Sequence, residues 1–145
     1  MSRIPIMGAV LIASSIVLGL DQAWSSELAR GSGYVIEMIP PQGSLAGEEA
    51  ILQVVLHPSE GHKVNVDFPI SLELVAPDGV GLAKPKQEKG DAKKLDAKEA
   101  RFEARFTAVT AGRKTFVGLF RFAVCTDKTC EPRREKLSFT VEVRK

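Results

Sequence analysis

The chain has 145 residues, with 20 Lys and Arg against 18 Asp and Glu, a formal net charge of +2 at pH 7, and 6% aromatic residues. Charges of both signs are mixed along it and no basic stripe is interleaved with aromatics, which excludes a nucleic-acid binder and a surface built for anionic membranes. The length allows one domain with a real core.

Arg3 gives a short basic start, and residues 4–20 form an apolar run without a charge. Asp21, Gln22, Ala23, Trp24 and Ser25 follow, with small residues at Ala23 and Ser25 in the −3/−1 spacing that a signal peptidase needs. The expectation is a signal peptide over residues 1–25, cleaved after Ser25 and carrying Trp24 away, with a domain over residues 26–145. The alternative is an uncleaved anchor. A helix over the apolar run would span about 26 Å, at the short limit for a bilayer. Either way the chain is expected to be exported, to a periplasm or to the outside. Loss of Arg3 and Asp21 leaves the net charge unchanged.

Beyond residue 25 the dominant period is two. Residues 34–39, 51–56, 64–68, 70–75, 101–108, 116–124 and 137–143 read as about seven strands. Phe102, Ala104, Phe106 and Ala108 face one side of theirs, and Leu137, Phe139, Val141 and Val143 one side of another, as half-buried strands require. Turn residues separate them: Pro40 to Gly43, Pro58 to Gly61, Pro77 to Gly79, and Ala111-Gly112. No long stripe of helical period occurs. The predicted fold is all-β, an immunoglobulin-like antiparallel β-sandwich, with a small barrel as the alternative. Residues 84–98 break the pattern: charged, with Pro85 and Gly90 inside, they read as a solvated loop, or else as a mobile flap or docking loop.

The chain's two cysteines, Cys125 and Cys130, flank the connection between its last two predicted strands. In an exported chain an even count and a short polar spacer make a disulfide the default. Opposed antiparallel residues have Cα atoms about 4.5–5.5 Å apart, within the reach of a disulfide. Closing so short a ring restrains the unfolded chain by only about 2 kcal/mol, a modest return for a staple. By strand parity Phe116, Phe120, Phe122 and Val124 share one face, and Cys125 shares the other with Arg121. A bulge would reverse this. Lys128, Arg133 and Arg134 are near in sequence, as are Asp127 and Glu131, so the charges set no net direction for a thiol.

Phe122-Ala-Val-Cys125, four residues, then Cys130-Glu-Pro132 and a strand, resembles the cysteine hairpin of the periplasmic N-terminal domain of the DsbD thiol–disulfide interchange proteins. The stretch from Gly61 through His62, Lys63 and Val64 to Phe68-Pro69 is similar to an early strand of the same domain. The resemblance implies an immunoglobulin-like sandwich in which Cys125 and Cys130 cycle between dithiol and disulfide by exchange with other exported thiol proteins. The 145 residues hold no Cys-x-x-Cys pair, so it also implies a separate membrane reductant as the electron source. The family's cysteines are shielded by an aromatic cap loop; the matching candidate here, residues 84–98, has no aromatic.

Other constellations are thin. His57 and His62 straddle a turn and are best read as surface residues, since a metal site needs three or four convergent ligands. No nucleophile–base arrangement or phosphate-cradling glycine loop occurs, and no cofactor is called for. Two readings stand: a thiol–disulfide interchange component acting through Cys125 and Cys130, or a non-catalytic binding or assembly domain whose disulfide fixes a hairpin tip.

Overall fold

The structure is a computed structural model and describes residues 26–145. The expected signal peptide or anchor over residues 1–25, with Trp24, lies outside the described residues.

Two antiparallel sheets pack face to face. The first holds β1 (Glu27–Gly31), β2 (Tyr34–Ile39), β3 (Glu49–Pro58), β9 (Ala100–Ala108) and β6 (Val80–Leu82) in that spatial order, with β8 (Lys94–Leu95) also on β9. In the second, β11 (Cys130–Val143), β10 (Gly112–Cys125), β5 (Ser71–Val75) and β7 (Lys86–Glu88) lie side by side, and β4 (Lys63–Val64) pairs with β10. The fold is therefore the immunoglobulin-like sandwich, not the barrel.

Alternation along the strands makes the core. Phe102 and Phe106 of β9 meet Phe120 and Phe116 of β10 edge-to-face, with ring centroids 5.8 and 5.1 Å apart. Phe139 of β11 stacks on Phe116 at 5.4 Å. These rings, with Ile36, Leu52, Val54, Leu72 and Leu74, are almost wholly buried, and they join the two sheets. Such edge-to-face and offset pairs add about 0.5–1.5 kcal/mol each beyond simple burial.

Two parts of the chain depart from the alternation pattern. Residues 64–68 do not form one strand. Only Lys63–Val64 pairs, because Asn65 Oδ1 accepts the Asp67 N–H at 3.0 Å and folds the backbone into a turn ahead of Pro69. Residues 84–98, expected as a solvated loop, are instead built into both sheets. β7 extends the second sheet, a single 3₁₀ turn (Lys89–Asp91) crosses over, and β8 joins the first. Gln87, buried at 4% exposure, donates its side-chain amide to the Glu103 carbonyl at 2.8 Å. That one anchored amide satisfies a polar group the composition had marked as solvated. β1 and β6 likewise carry too little alternation to be read from sequence.

Candidate functional site

β10 and β11 pair without interruption from Gly112↔Val143 to Cys125↔Cys130. No bulge intervenes, so Cys125 lies on the Arg121 side of the sheet, away from Phe120 and Phe122. The tip is held by Thr126, whose N–H donates to the Thr129 carbonyl at 2.8 Å. Its hydroxyl accepts the N–H groups of Lys128 and Thr129, both at 3.2 Å. The tip is thus closed by its own short hydrogen bonds. Cys125 and Cys130 form a disulfide, with Cα atoms 4.0 Å apart.

The two halves of that bond differ in access. Cys125 sits in the middle of three strands, between Cys130 of β11 and Lys63 of β4, and is 3% exposed. Cys130 is on β11, at the sheet edge, and is exposed. Ladder partners point to the same face, so Lys63, Cys125 and Cys130 stand in a row, with neighbouring Cβ atoms about 4.5–5.5 Å apart. Gly61 makes this row. It is the third residue of a turn in which the His62 N–H donates to the Ser59 carbonyl at 2.9 Å, and its φ of 76° is one that other residues rarely adopt.

A cleft of about 720 Å³ opens beside the disulfide, lined by both cysteines, Lys63, Asn65, Asp67 and, from the far side, Asp96 and Ala97. The end of the 84–98 segment reaches this site: the Val64 N–H donates to the Ala97 carbonyl at 2.9 Å. Asp96 shapes the turn there by accepting the Lys98 and Glu99 N–H groups at 2.8 and 2.9 Å. The segment therefore lines the cleft with Leu95, Asp96 and Ala97 and brings no aromatic ring to it. Sequence reasoning missed Lys63 and Ala97 as site residues. The run from Asp96 to Glu99 carries a turn signal, whereas the pairing of Lys63 with Cys125 has no local signature.

Glu99 closes that turn electrostatically. Its side chain is 12% exposed, bonded to Arg101 at 2.8 Å and Lys94 at 3.0 Å. The Arg101 hydrogen bond first, and Lys94's second, hold its carboxyl below the usual range, against a smaller opposing effect of burial. A lowered folded-state pKa contributes stability that is complete above the unfolded value, about 4.3, and lost as pH falls through the folded value. The Val64 amide should accordingly keep its hydrogen-exchange protection from neutral pH to about 4.3 and lose it first below that. Protection that stays constant into strong acid would contradict this role of Glu99.

Beneath the hairpin, Tyr34 of β2 donates its hydroxyl to the Glu135 carboxylate of β11, and its ring meets Phe122 edge-on at 4.8 Å. Burial, then the Glu135 bond and its charge, raise the Tyr34 pKa to about 12, so it stays protonated and structural. A Cβ at Gly31 would collide with this ring, which explains a glycine inside β1. The histidines make separate contacts: His57 Nε2 bonds Glu37 at 3.0 Å, and His62, which lines a small cavity with Thr126 and Thr129 of the hairpin, donates Nδ1–H to the Glu60 carbonyl at 3.1 Å. Among the described residues no group of three metal-ligating side chains converges.

Fold and hairpin together define an immunoglobulin-like sandwich with a disulfide at the end of its longest β-ribbon. No family model and no curated protein matches the sequence. Among solved structures, the GAE domain of GGA2p from Saccharomyces cerevisiae aligns with a TM-score of 0.50 at 10% identity, over 79% of this chain and 97% of that one. AggA, the major subunit of aggregative adherence fimbriae type I from Escherichia coli, aligns with a TM-score of 0.40 at 12% identity, over 82% and 95%. The DsbD N-terminal domain of Neisseria meningitidis in the reduced form aligns with a TM-score of 0.37 at 13% identity, over 77% and 87%. At these identities the likeness is one of fold alone.

Proposed function

We propose that the chain is an exported thiol–disulfide exchange module in which Cys125 and Cys130 pass reducing equivalents to or from other exported thiol proteins. One observation carries the reading: the bond presents an exposed sulfur-bearing residue, Cys130, at a sheet edge beside an open cleft, while its partner Cys125 is enclosed. The likeness of the Phe122–Pro132 hairpin to the DsbD family's cysteine hairpin supports it as well.

The chemistry follows from that asymmetry. A partner's thiolate attacks Sγ of Cys130 in line with the S–S bond. That bond breaks, a mixed disulfide forms on Cys130, and the electron pair departs on Cys125 Sγ as a thiolate. Lys63, beside Cys125 in the ladder, is the cation placed to stabilise the departing thiolate. Asp67 and Asp96 oppose it across the cleft, but the Asp96 carboxylate already accepts two backbone N–H groups. The partner's second thiol then attacks its own sulfur in the mixed disulfide and releases Cys130 as a thiolate. Protonation of the two thiolates completes the transfer of two electrons and two protons, leaving a dithiol here and a disulfide in the partner. In the reverse direction the dithiol reduces a partner, and a separate membrane reductant restores it.

The alternative, a binding domain with an inert bond, predicts reduction only through unfolding. Reduction of the folded protein by dithiothreitol, followed across sub-denaturing urea, separates the two. Exchange through the native site gives a rate that does not rise with urea. A rate rising exponentially with urea, in step with the opening of the sandwich, would reject the proposal.

A further inference from the structure

The outward face of the second sheet carries charges that the exchange chemistry does not use. The register that joins Cys125 to Cys130 also sets Ala123 opposite Pro132, Arg121 opposite Arg134, and Leu119 opposite Lys136. Like charges directly opposed across a ladder are destabilising. Yet among the described residues Arg121, Arg134 and Lys136 have no ion pair and no side-chain hydrogen bond, and all three are exposed. The nearest acid on this face, Glu73, lies opposite Leu119 and has Lys86 as its other cross-strand neighbour, while Arg121 faces Ser71. Among the described residues no acid forms an ion pair with either arginine.

Farther along the same strands, Val75 and Val117, 59% and 47% exposed, form an apolar surface with Leu119. It floors an open trough of about 860 Å³ whose rim includes Arg134 and Lys136. Disulfide, arginine pair and trough therefore follow one line along β10. Arg121 lies four positions along the strand from Cys125, about 13 Å away, and Val117 four positions farther.

We infer that this line is the docking face for the exchange partner, and that its occupant is an extended acidic segment of a thiol protein. The segment's cysteine meets Cys130, its carboxylates seat on Arg121 and Arg134, and an apolar residue fills the Val75–Val117 trough. Guanidinium forks suit carboxylates in this planar arrangement, and a bound anion relieves the repulsion between the two arginines. Complementary charge of this kind acts chiefly on encounter rate and partner choice. The inference rests on the exchange reading and adds to it the chemical class of the partner.

The test uses two cysteine peptides of equal length, one with Asp and Glu about four residues from the cysteine and one with Lys there, each with a leucine four residues farther on. Reduction of the folded, oxidised protein is followed at low salt. The acidic peptide should react about tenfold faster, lose that advantage at about 0.5 M salt, and become the slower one with the Arg121→Glu/Arg134→Glu double variant. Thermal melting checks that this surface variant stays folded. A serine-for-cysteine copy of the acidic peptide should bind the wild type and not the double variant. Equal rates for both peptides, with no binding of the serine copy, overturn the docking face and leave the exchange reading standing. Binding of the serine copy without reduction by either peptide upholds the docking face and rejects exchange.

Discussion

Replacing Phe120 with alanine is expected to lower the unfolding free energy by about 3–5 kcal/mol, the cost of deleting a large buried ring whose site collapses only partly. Phe120 is wholly buried on β10, which lies between β11 and β5 in the second sheet. Its ring centroid lies 5.8 Å from that of Phe102 on the opposite sheet and 5.1 Å from that of Phe122 on its own strand. The lost ring therefore leaves a void at the junction of both sheets. In a domain of this size the midpoint of thermal unfolding should fall by about 10–20 °C. Thr115→Ala, at an exposed position on the same strand where the hydroxyl meets that of Thr140 at 3.1 Å, should cost no more than about 1 kcal/mol. A cost for Phe120→Ala below about 1 kcal/mol, by urea titration, would mean that the two sheets do not pack through this ring.

Single-cysteine variants are expected to differ sharply in capture. Cys125→Ser leaves a thiol on the exposed edge strand, where an incoming disulfide such as oxidised glutathione reaches it freely. Cys130→Ser leaves the thiol of Cys125, enclosed between Lys63 of β4 and the serine on β11. Mixed-disulfide formation should be about tenfold or more slower in the second variant, because exposure and thiolate character together control thiol reactivity. Mass spectrometry of the adducts over time reads this directly. Equal rates would remove the asymmetry on which the order of steps at Cys130 and Cys125 depends. Neither variant should unfold, since the bond closes so short a ring that its loss costs only about 2 kcal/mol.

The strands of the core were legible because burial on one face writes itself into period two. Phe102, Ala104, Phe106 and Ala108 on β9, and Leu137, Phe139, Val141 and Val143 on β11, are all buried as their alternation required. Parity also placed Cys125 on the Arg121 face, because β10 runs to its end without a bulge. The segment over residues 84–98 was not legible: β7 and β8 are short and bury little, so their pairing is decided by neighbours distant in sequence. The same holds for the burial of Cys125, which depends on β4 arriving beside it from a turn some sixty residues upstream. Composition marked residues 84–98 as solvated, and most of them are, but Gln87 and Ala97 fix the path of the backbone.

We propose above all that the bond between Cys125 and Cys130 is poised for exchange in the folded protein. Equilibration with reduced and oxidised glutathione at pH 7, with quenched thiols counted by mass, measures its reduction potential most directly. A value above about −300 mV is expected, within the range of exchange proteins. A value well below that, in a protein whose fold stays intact throughout, would show the bond to be an inert staple.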